Sequence, residues 1–265
     1  MLYYPQLNTG TVCQYPLSRR NLRRTIVNSL ADGTTIRVRD DGAASVVWDL
    51  EYFDLTDLEL GAMSGLFEAT SGNWQSFTFL DPTANLFTWS EDPSKAGWER
   101  DPLLALAGGV TDPLSGTGGV GITNNAQVSQ ALQQTLAGPS WFQYCISVWA
   151  RSEAIATVDL YGSSGSEQII SSFLVGGSWK RLEHSFQMTS QQDGLSVGVQ
   201  LSAGQRVDFF GFQLEAQPAA GGYKKTRDRA GVYPHTRFDQ DTFRSQATGI
   251  EQYSCALRII SNVAG

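Results

Sequence analysis

Residues 250–263 read IEQYSCALRIISNV. Tyr253, Cys255, Leu257 and Ile259 fall on one side of an extended chain, with Ser254, Ala256 and Arg258 on the other, because strand side chains alternate with period two. A lone terminal strand leaves its backbone groups unpaired and must complete a sheet. The stretch before it, residues 224–249 (KKTRDRAGVYPHTRFDQDTFRSQATG), is polar and charged with both signs; it reads as a long connection or arm and offers no partner. The partner is therefore expected near the other end of the chain.

Residues 34–56 (TTIRVRDDGAASVVWDLEYFDLT) supply it. Ile36 and Val38 alternate with Arg37 and Arg39, Asp40-Asp41-Gly42 reads as a hairpin turn, and Val46, Trp48, Leu50 and Tyr52 share a face opposite Asp49 and Glu51. Thr56 and Glu59 match a capping box, in which each side chain satisfies a free N–H at a helix start. Leu60, Met63 and Phe67 follow at helical spacing with Leu66 beside them, and Gly72 is a stop. Phe77 and Phe79 form one more strand, closed by Asp81-Pro82. This set has too few strands to bury its own apolar surface, so pairing with 250–263 is the economical completion.

The text between differs. Helical periodicity almost vanishes, and SWFQYCISVWARS (140–152), IATVDLYGSS (155–164), SWKRLEHSFQM (178–188), GLSVGVQLSAG (194–204) and QRVDFFGFQLEAQ (205–217) alternate one after another. Short strands at intervals of roughly ten residues with Gly-rich turns imply an antiparallel sandwich or jelly roll. Trp89-Ser90-Glu91 is read as its first strand. TDPLSGTGGVGITNN (111–125) reads as a connection; it lacks the Gly-Lys-Ser/Thr ending of a phosphate loop. The expected fold is mainly β: a hub-like β domain with one short helix, residues 1–84 plus 227–265, interrupted by an inserted antiparallel jelly roll, residues 85–226.

Composition narrows function. A net charge of −7 argues against general nucleic-acid binding. No apolar run approaches the roughly 18 residues of a membrane span, so membrane insertion is not expected. The opening MLYYPQLNTG has no basic start followed by an apolar stretch, so no secretory signal is expected either. Cys13, Cys145 and Cys255 form no metal or redox motif and read as buried thiols of a chain made in a reducing cytoplasm.

Catalytic constellations are missing from the text. His184 sits in an alternating strand and His235 follows Pro234 in the polar connection; GSSGS (162–166) reads as a turn rather than a nucleophile elbow. Asp49 with Glu51, or Glu91 with Asp92, are adjacent acids, but convergence in a glycosidase cleft does not follow from adjacency. The reading is that the chain is not an enzyme.

Aromatic residues are the stronger signal. Of the tryptophans in the middle unit, most serve a sandwich core, and Trp149 is the candidate for stacking on a sugar, opposite Tyr144, Ile146 and Val148 and beside Arg151. Glu91 and Glu215 sit near the ends of the middle unit and could share a structural Ca²⁺, or be two unrelated surface acids; no other cofactor is expected. Arg19, Arg20, Arg23 and Arg24 are either a solvated basic face or a subunit contact.

NLFTWSEDPSKAGW (85–98), ISVWARS, SWKRLEHSF and VDFFGFQLEAQPAAGGYKKT (207–226) occur in the order found in the carbohydrate-binding-module-like jelly rolls of phage tail and fibre proteins, which this half of the chain resembles. VVWDLEYFDLTDLELGAMSGLFEATSGNWQSFTFLDP (46–82) and GIEQYSCALRIISNV (249–263) resemble the hub domain of distal tail proteins of long-tailed bacteriophages and gene transfer agents. That resemblance implies a homo-hexameric ring at the virion tail tip, assembled in the host cytoplasm. The ring would stack on the tail tube protein and the tail hub protein, with an insert that turns to host cell-surface polysaccharide. The rival reading is a free-standing carbohydrate-binding protein or a small glycosidase carrying a sugar-binding module. If the insertion reading holds, a chain in which residue 84 is joined to residue 228 folds cooperatively, as judged by circular dichroism and a single unfolding transition; a molten product refutes it.

Overall fold

The structure, a computed structural model, describes residues 1–263. Its elements in chain order begin with β1 (Leu17–Ser29), β2 (Thr35–Leu55), α1 (Asp57–Ala69) and β3 (Phe77–Leu80). There follow β4 (Glu99–Arg100), β5 (Leu104–Val110), β6 (Gly119–Asn124), β7 (Gln130–Pro139), β8 (Gln143–Arg151), β9 (Ala156–Ser164) and β10 (Glu167–Val175). The last are β11 (Lys180–Gln187), β12 (Asp193–Leu201), β13 (Arg206–Glu215), β14 (Val232–Phe238), β15 (Ser245–Gly249) and β16 (Gln252–Asn262). The chain forms two compact units: one of Met1–Leu7, Cys13–Phe79 and the residues from Tyr233 onward, the other of Asn8–Val12 and Leu80–Val232.

In the first unit one sheet runs β1-β2-β16-β14-β3, with β15 also paired to β16. β16 lies antiparallel to β2 from Tyr253 opposite Leu55 to Asn262 opposite Ser45. Trp48, Leu50 and Tyr52 are thereby buried on the same face as Cys255, Leu257 and Ile259. Met63 and Leu66 of α1 are buried too, and Phe67 and Phe77 both contact Phe238, at ring centroid distances of 5.1 and 5.0 Å. The helix begins with the expected capping box: Glu59 N donates to Thr56 Oγ1, and Thr56 N donates to Glu59 Oε2 at 2.9 Å. It stops where Gly72 takes φ 65° and its N–H reaches Phe67 O at 3.0 Å.

Two local expectations fail here. Asp40-Asp41-Gly42 is not a turn; it lies within β2, opposite the shift in register between Leu22 and Arg24. The turn is Ala31-Asp32-Gly33, which reverses the chain from β1 into β2. Gly33 takes φ 86°, Asp32 Oδ1 accepts from Thr34 N at 2.8 Å, and Leu30 N reaches Thr34 O at 2.8 Å. Both tripeptides carry the same Asp-Gly signal, and long-range pairing selects between them. The polar stretch at 224–249 is likewise not all connection, since β14 within it pairs with β16 from Thr236 opposite Ser261 to Phe238 opposite Ile259.

The second unit is an antiparallel β-sandwich of jelly-roll type, with sheets β10-β9-β12-β7-β4 and β11-β8-β13-β6-β5. Five of the six connections from β7 to β13 change sheets, which is what locks both layers onto one core. Inward residues Tyr144, Ile146, Val148, Leu182 and Phe209 of one sheet and Leu132, Val158, Leu160, Val197 and Val199 of the other are all buried. Trp89-Ser90-Glu91 does not open a strand. Trp89 takes φ 48°, and the segment's backbone bonds go singly to distant loops and strands: Trp89 N to Arg227 O at 2.7 Å, Phe212 N to Ser90 O at 3.0 Å. Six residues of the glycine-rich connection form strand β6; its turn is tied by Asp112, which accepts from the backbone N–H groups of Leu114, Gly116 and Gly118. Burial pushes the Asp112 pKa up, but these three donors outweigh it and hold the carboxyl below its ordinary value.

Gly162 in β9 faces the core, where a Cβ would stand 2.4 Å from the Phe186 ring. Gly162→Ala is expected to cost about 1–3 kcal/mol by overpacking, read as a lower denaturant midpoint. Gly177→Ala, with nothing within 4 Å of its Cβ, should leave the midpoint almost unchanged.

Candidate functional site

The two sheets of the sandwich present different outer faces. On β8, Trp149 points away from the core as its position in the alternation demands. The layer outside it is nevertheless filled from within the unit. The Arg181 guanidinium lies over the indole at 4.6 Å, and the rings of Phe210 and Tyr223 stand at 5.9 and 5.6 Å. Arg181 Nη2 also donates to Gly221 O at 2.8 Å, and Gln213 Nε2 reaches Gly222 O at 3.2 Å, so residues 221–223 lie across this face. Arg151 is engaged too, with Nε 3.2 Å from Asp208 Oδ2 and its guanidinium 4.7 Å over Trp179. Cys145, beneath the same cover, has its thiol pushed up to about 12 by burial and then by Glu183 and Glu215.

The outer face of the other sheet carries short polar side chains. Register places Ser172, Asp159, Gln200 and Ala131 in one cross-strand row, and Ile170, Tyr161, Gly198, Gln133 and Glu99 in the next. The Tyr161 hydroxyl meets Gln133 Oε1 at 2.5 Å across β12, while Gln133 Nε2 donates to Glu99 Oε2 at 2.9 Å. Burial raises the Tyr161 pKa, helped by the carboxylates of Asp101 and Glu99. A third row joins Thr135 to Ser196 through their hydroxyls at 2.9 Å. Asp159 Oδ1 is buried here without a hydrogen-bond partner among the described residues. The face thus offers hydroxyls, amides and an unsatisfied carboxylate oxygen on a rigid sheet. The tryptophan count concealed it; the alternation Thr157, Asp159, Tyr161, Ser163 with Ser196, Gly198, Gln200 is the signal that could have found it.

Glu91 and Glu215 have separate surroundings. Glu215 is fully buried, bonded by Lys224 Nζ, by Gln213 Nε2 at 2.8 Å and by Gly221 N at 2.7 Å. Glu91 pairs with Lys225 and accepts from Tyr223 OH at 3.0 Å. It lines a cleft of about 440 Å³ with Trp89, Asp92, Thr117, Lys225 and Arg227. A lysine therefore serves each carboxylate, and no group of three His, Cys, Asp or Glu placed to hold a metal occurs among the described residues.

Of the arginine cluster in the first unit, Arg19 Nη2 donates to Tyr233 OH at 3.0 Å, Arg20 pairs with Asp49 at 2.9 Å, Arg24 pairs with Asp40, and Arg23 Nη1 reaches Leu22 O at 2.9 Å. The three cysteines are in no disulfide and are buried. His235 is exposed, on β14. His184 is buried, its Nδ1 at 2.9 Å from Ser171 Oγ, joining β11 to β10. No helix among the described residues is long and apolar enough to cross a membrane.

No family model matches the sequence, and no curated protein matches it. Solved structures similar to it overlap about half of the chain. TmCBM61 in complex with β-1,4-galactotriose is 17% identical, with 49% of this chain and 97% of that chain covered, at a TM-score of 0.36. The C-terminal family 22 carbohydrate-binding module of Clostridium thermocellum Xyn10B is 16% identical, covering 55% of this chain and 99% of that one, at 0.42. The enzymatically active domain of bacteriophage CBA120 tailspike protein 4 is 9% identical, covering 52% of this chain and 22% of that one, at 0.39.

Burial lowers the His184 pKa below the ordinary 6.5, so the folded unit favours the neutral imidazole. The unfolded chain then binds the extra proton more readily, and stability falls as pH drops below about 6.5. The unfolding midpoint should decline between pH 7.5 and pH 5, with a shallower slope in His184→Gln.

Proposed function

We propose that this chain is a structural subunit of a phage tail tip, a distal tail ring component between the tail tube and tail hub proteins. In this reading its jelly roll holds host polysaccharide without turning it over. The tail-tip part rests on the hub-like segments at 46–82 and 249–263, which resemble distal tail proteins. The polysaccharide part rests on one observation, the polar outer face of β9, β12 and β7 with the buried, unpartnered Asp159 Oδ1 at its centre. A buried acceptor without a donor costs on the order of 1–3 kcal/mol, and a sugar hydroxyl supplies such a donor once the Asp159 side chain turns outward to meet it. Hydroxyls and amides at strand spacing complement the other hydroxyls of a chain laid across the sheet. Such a site is weak singly, and a ring of copies converts weak sites into avidity. The reading makes no use of nucleophiles or metals, so the action is binding and assembly.

A glycan array probed with the full chain tests this. Binding to at least one polysaccharide is expected, reduced roughly tenfold or more by Asp159→Ala or Gln200→Ala. Trp149→Ala should instead lower stability, because its ring is packed under Arg181 and Tyr223. Loss of binding in a stably folded Trp149→Ala or Trp89→Ala chain would move the site to the opposite face or the cleft, and silence across the array would leave the jelly roll a spacer.

A further inference from the structure

Past the register shift at Leu22, β1 and β2 continue as a two-stranded ribbon, from Arg24 opposite Asp40 to Ser29 opposite Thr35. Every residue from Asn21 to Arg39 is exposed. The alternation sorts this ribbon into unlike faces. Ile26 pairs with Val38 and shares its side with Ile36, while Val27 and Thr25 pair with Arg37 and Arg39 on the other. Ile26, Ile36 and Val38 are 43%, 44% and 47% exposed, in a ribbon whose type is at best marginally stable alone in water. An apolar strip held open on such a ribbon calls for a cover.

The first unit also carries a groove of about 340 Å³ lined by Glu51, Phe53, Gln246, Ser254 and Ala256, with Arg244 on its β15 side. Phe53 is 54% exposed there. Charge separates ribbon and groove. Residues 19–39 hold six arginines and one aspartate, whereas no lysine or arginine occurs from Asp40 to Ser94, and Glu51 and Asp54 are exposed beside Phe53. We infer that the ribbon of one copy docks on the Glu51–Phe53 groove of a second copy, its apolar strip against Phe53, while Arg37 and Arg39 on the ribbon's other face give it a basic charge that draws it to Glu51 and Asp54. This rests on the assembly reading above and names its contact. Ribbon and groove are different surfaces, so the contact is head-to-tail, the kind that closes into a ring or runs on as a filament. The ribbon's arginines thus act together with its apolar strip, which the cluster at 19–24 alone did not suggest.

The test uses the full chain and reads particle mass by mass photometry across a dilution series. Wild type should assemble, Arg37→Glu with Arg39→Glu should weaken association roughly tenfold or more, and adding Glu51→Lys to that variant should restore part of it. Independently, mixing a Val38→Cys chain with a size-tagged Phe53→Cys chain under mild oxidation should give a mixed disulfide dimer, since the native cysteines are buried. Assembled particles indifferent to the charge reversals and giving no mixed disulfide would overturn the docking contact while leaving assembly standing. A wild-type chain that stays monomeric at every concentration would overturn both.

Discussion

The antiparallel pairing of β16 with β2 is the constraint on which the first unit depends. It joins Leu55 to Tyr253 and Ser45 to Asn262, residues some two hundred positions apart. Without it Trp48, Leu50 and Tyr52 lack Cys255, Leu257 and Ile259 as neighbours on their face, β15 has no strand to pair with, and β14 and β3 are cut off from β2. The cost of closing so long a connection grows only with the logarithm of its length, so a compact second unit can occupy the interval cheaply. The pairing of β2 with β1 decides which Asp-Gly becomes the hairpin turn. Once β2 must run unbroken from Thr35 to Leu55, the reversal falls at Ala31-Asp32-Gly33.

In the sandwich, the period-two rule assigns most side chains to the core or away from it, the bulge at Gly211 of β13 apart, but says nothing of what lies outside. On β8 and β13 the outward layer is closed by Arg181, Gln213 and the return of the chain through residues 221–223. The layer outside β9, β12 and β7 consists instead of the sheet's own short polar side chains. A tryptophan that points outward is therefore packed against Arg181 and Tyr223, while Asp159, Gln200 and Ser196 stand half-buried on the other outer face. The glycan capture and self-assembly proposed above draw on different parts of the chain: a polar sheet face in one unit and a long apolar-and-basic ribbon in the other. Only the ribbon comes from continuing strands beyond what their own core needs; the sheet face is the outward half of core strands.

Much of this was legible in the residues. The capping box at Thr56 and Glu59, the alternation of Val46 to Tyr52 and of Tyr253 to Ile259, and the strands from 140 to 217 all depend on neighbours within a few positions, where local geometry dominates. The same is true of the mainly β class and the jelly roll. Illegible were features settled by distant partners. Trp89 lies in no strand because its backbone answers to Arg227; Glu91 and Glu215 each face a lysine brought from residues 224–225.

By itself, then, the sequence determined which residues alternate, where the helix starts and stops, and that the last strand needs a distant sheet, because each of these follows from backbone geometry and side-chain period. Only the tertiary structure decided which outward faces stay uncovered, which carboxylates are already paired, and that the arginines at 37 and 39 ride on an uncovered ribbon with Ile26, Ile36 and Val38. Coverage and pairing are properties of the elements that pack against a strand, and a strand's own residues do not specify them.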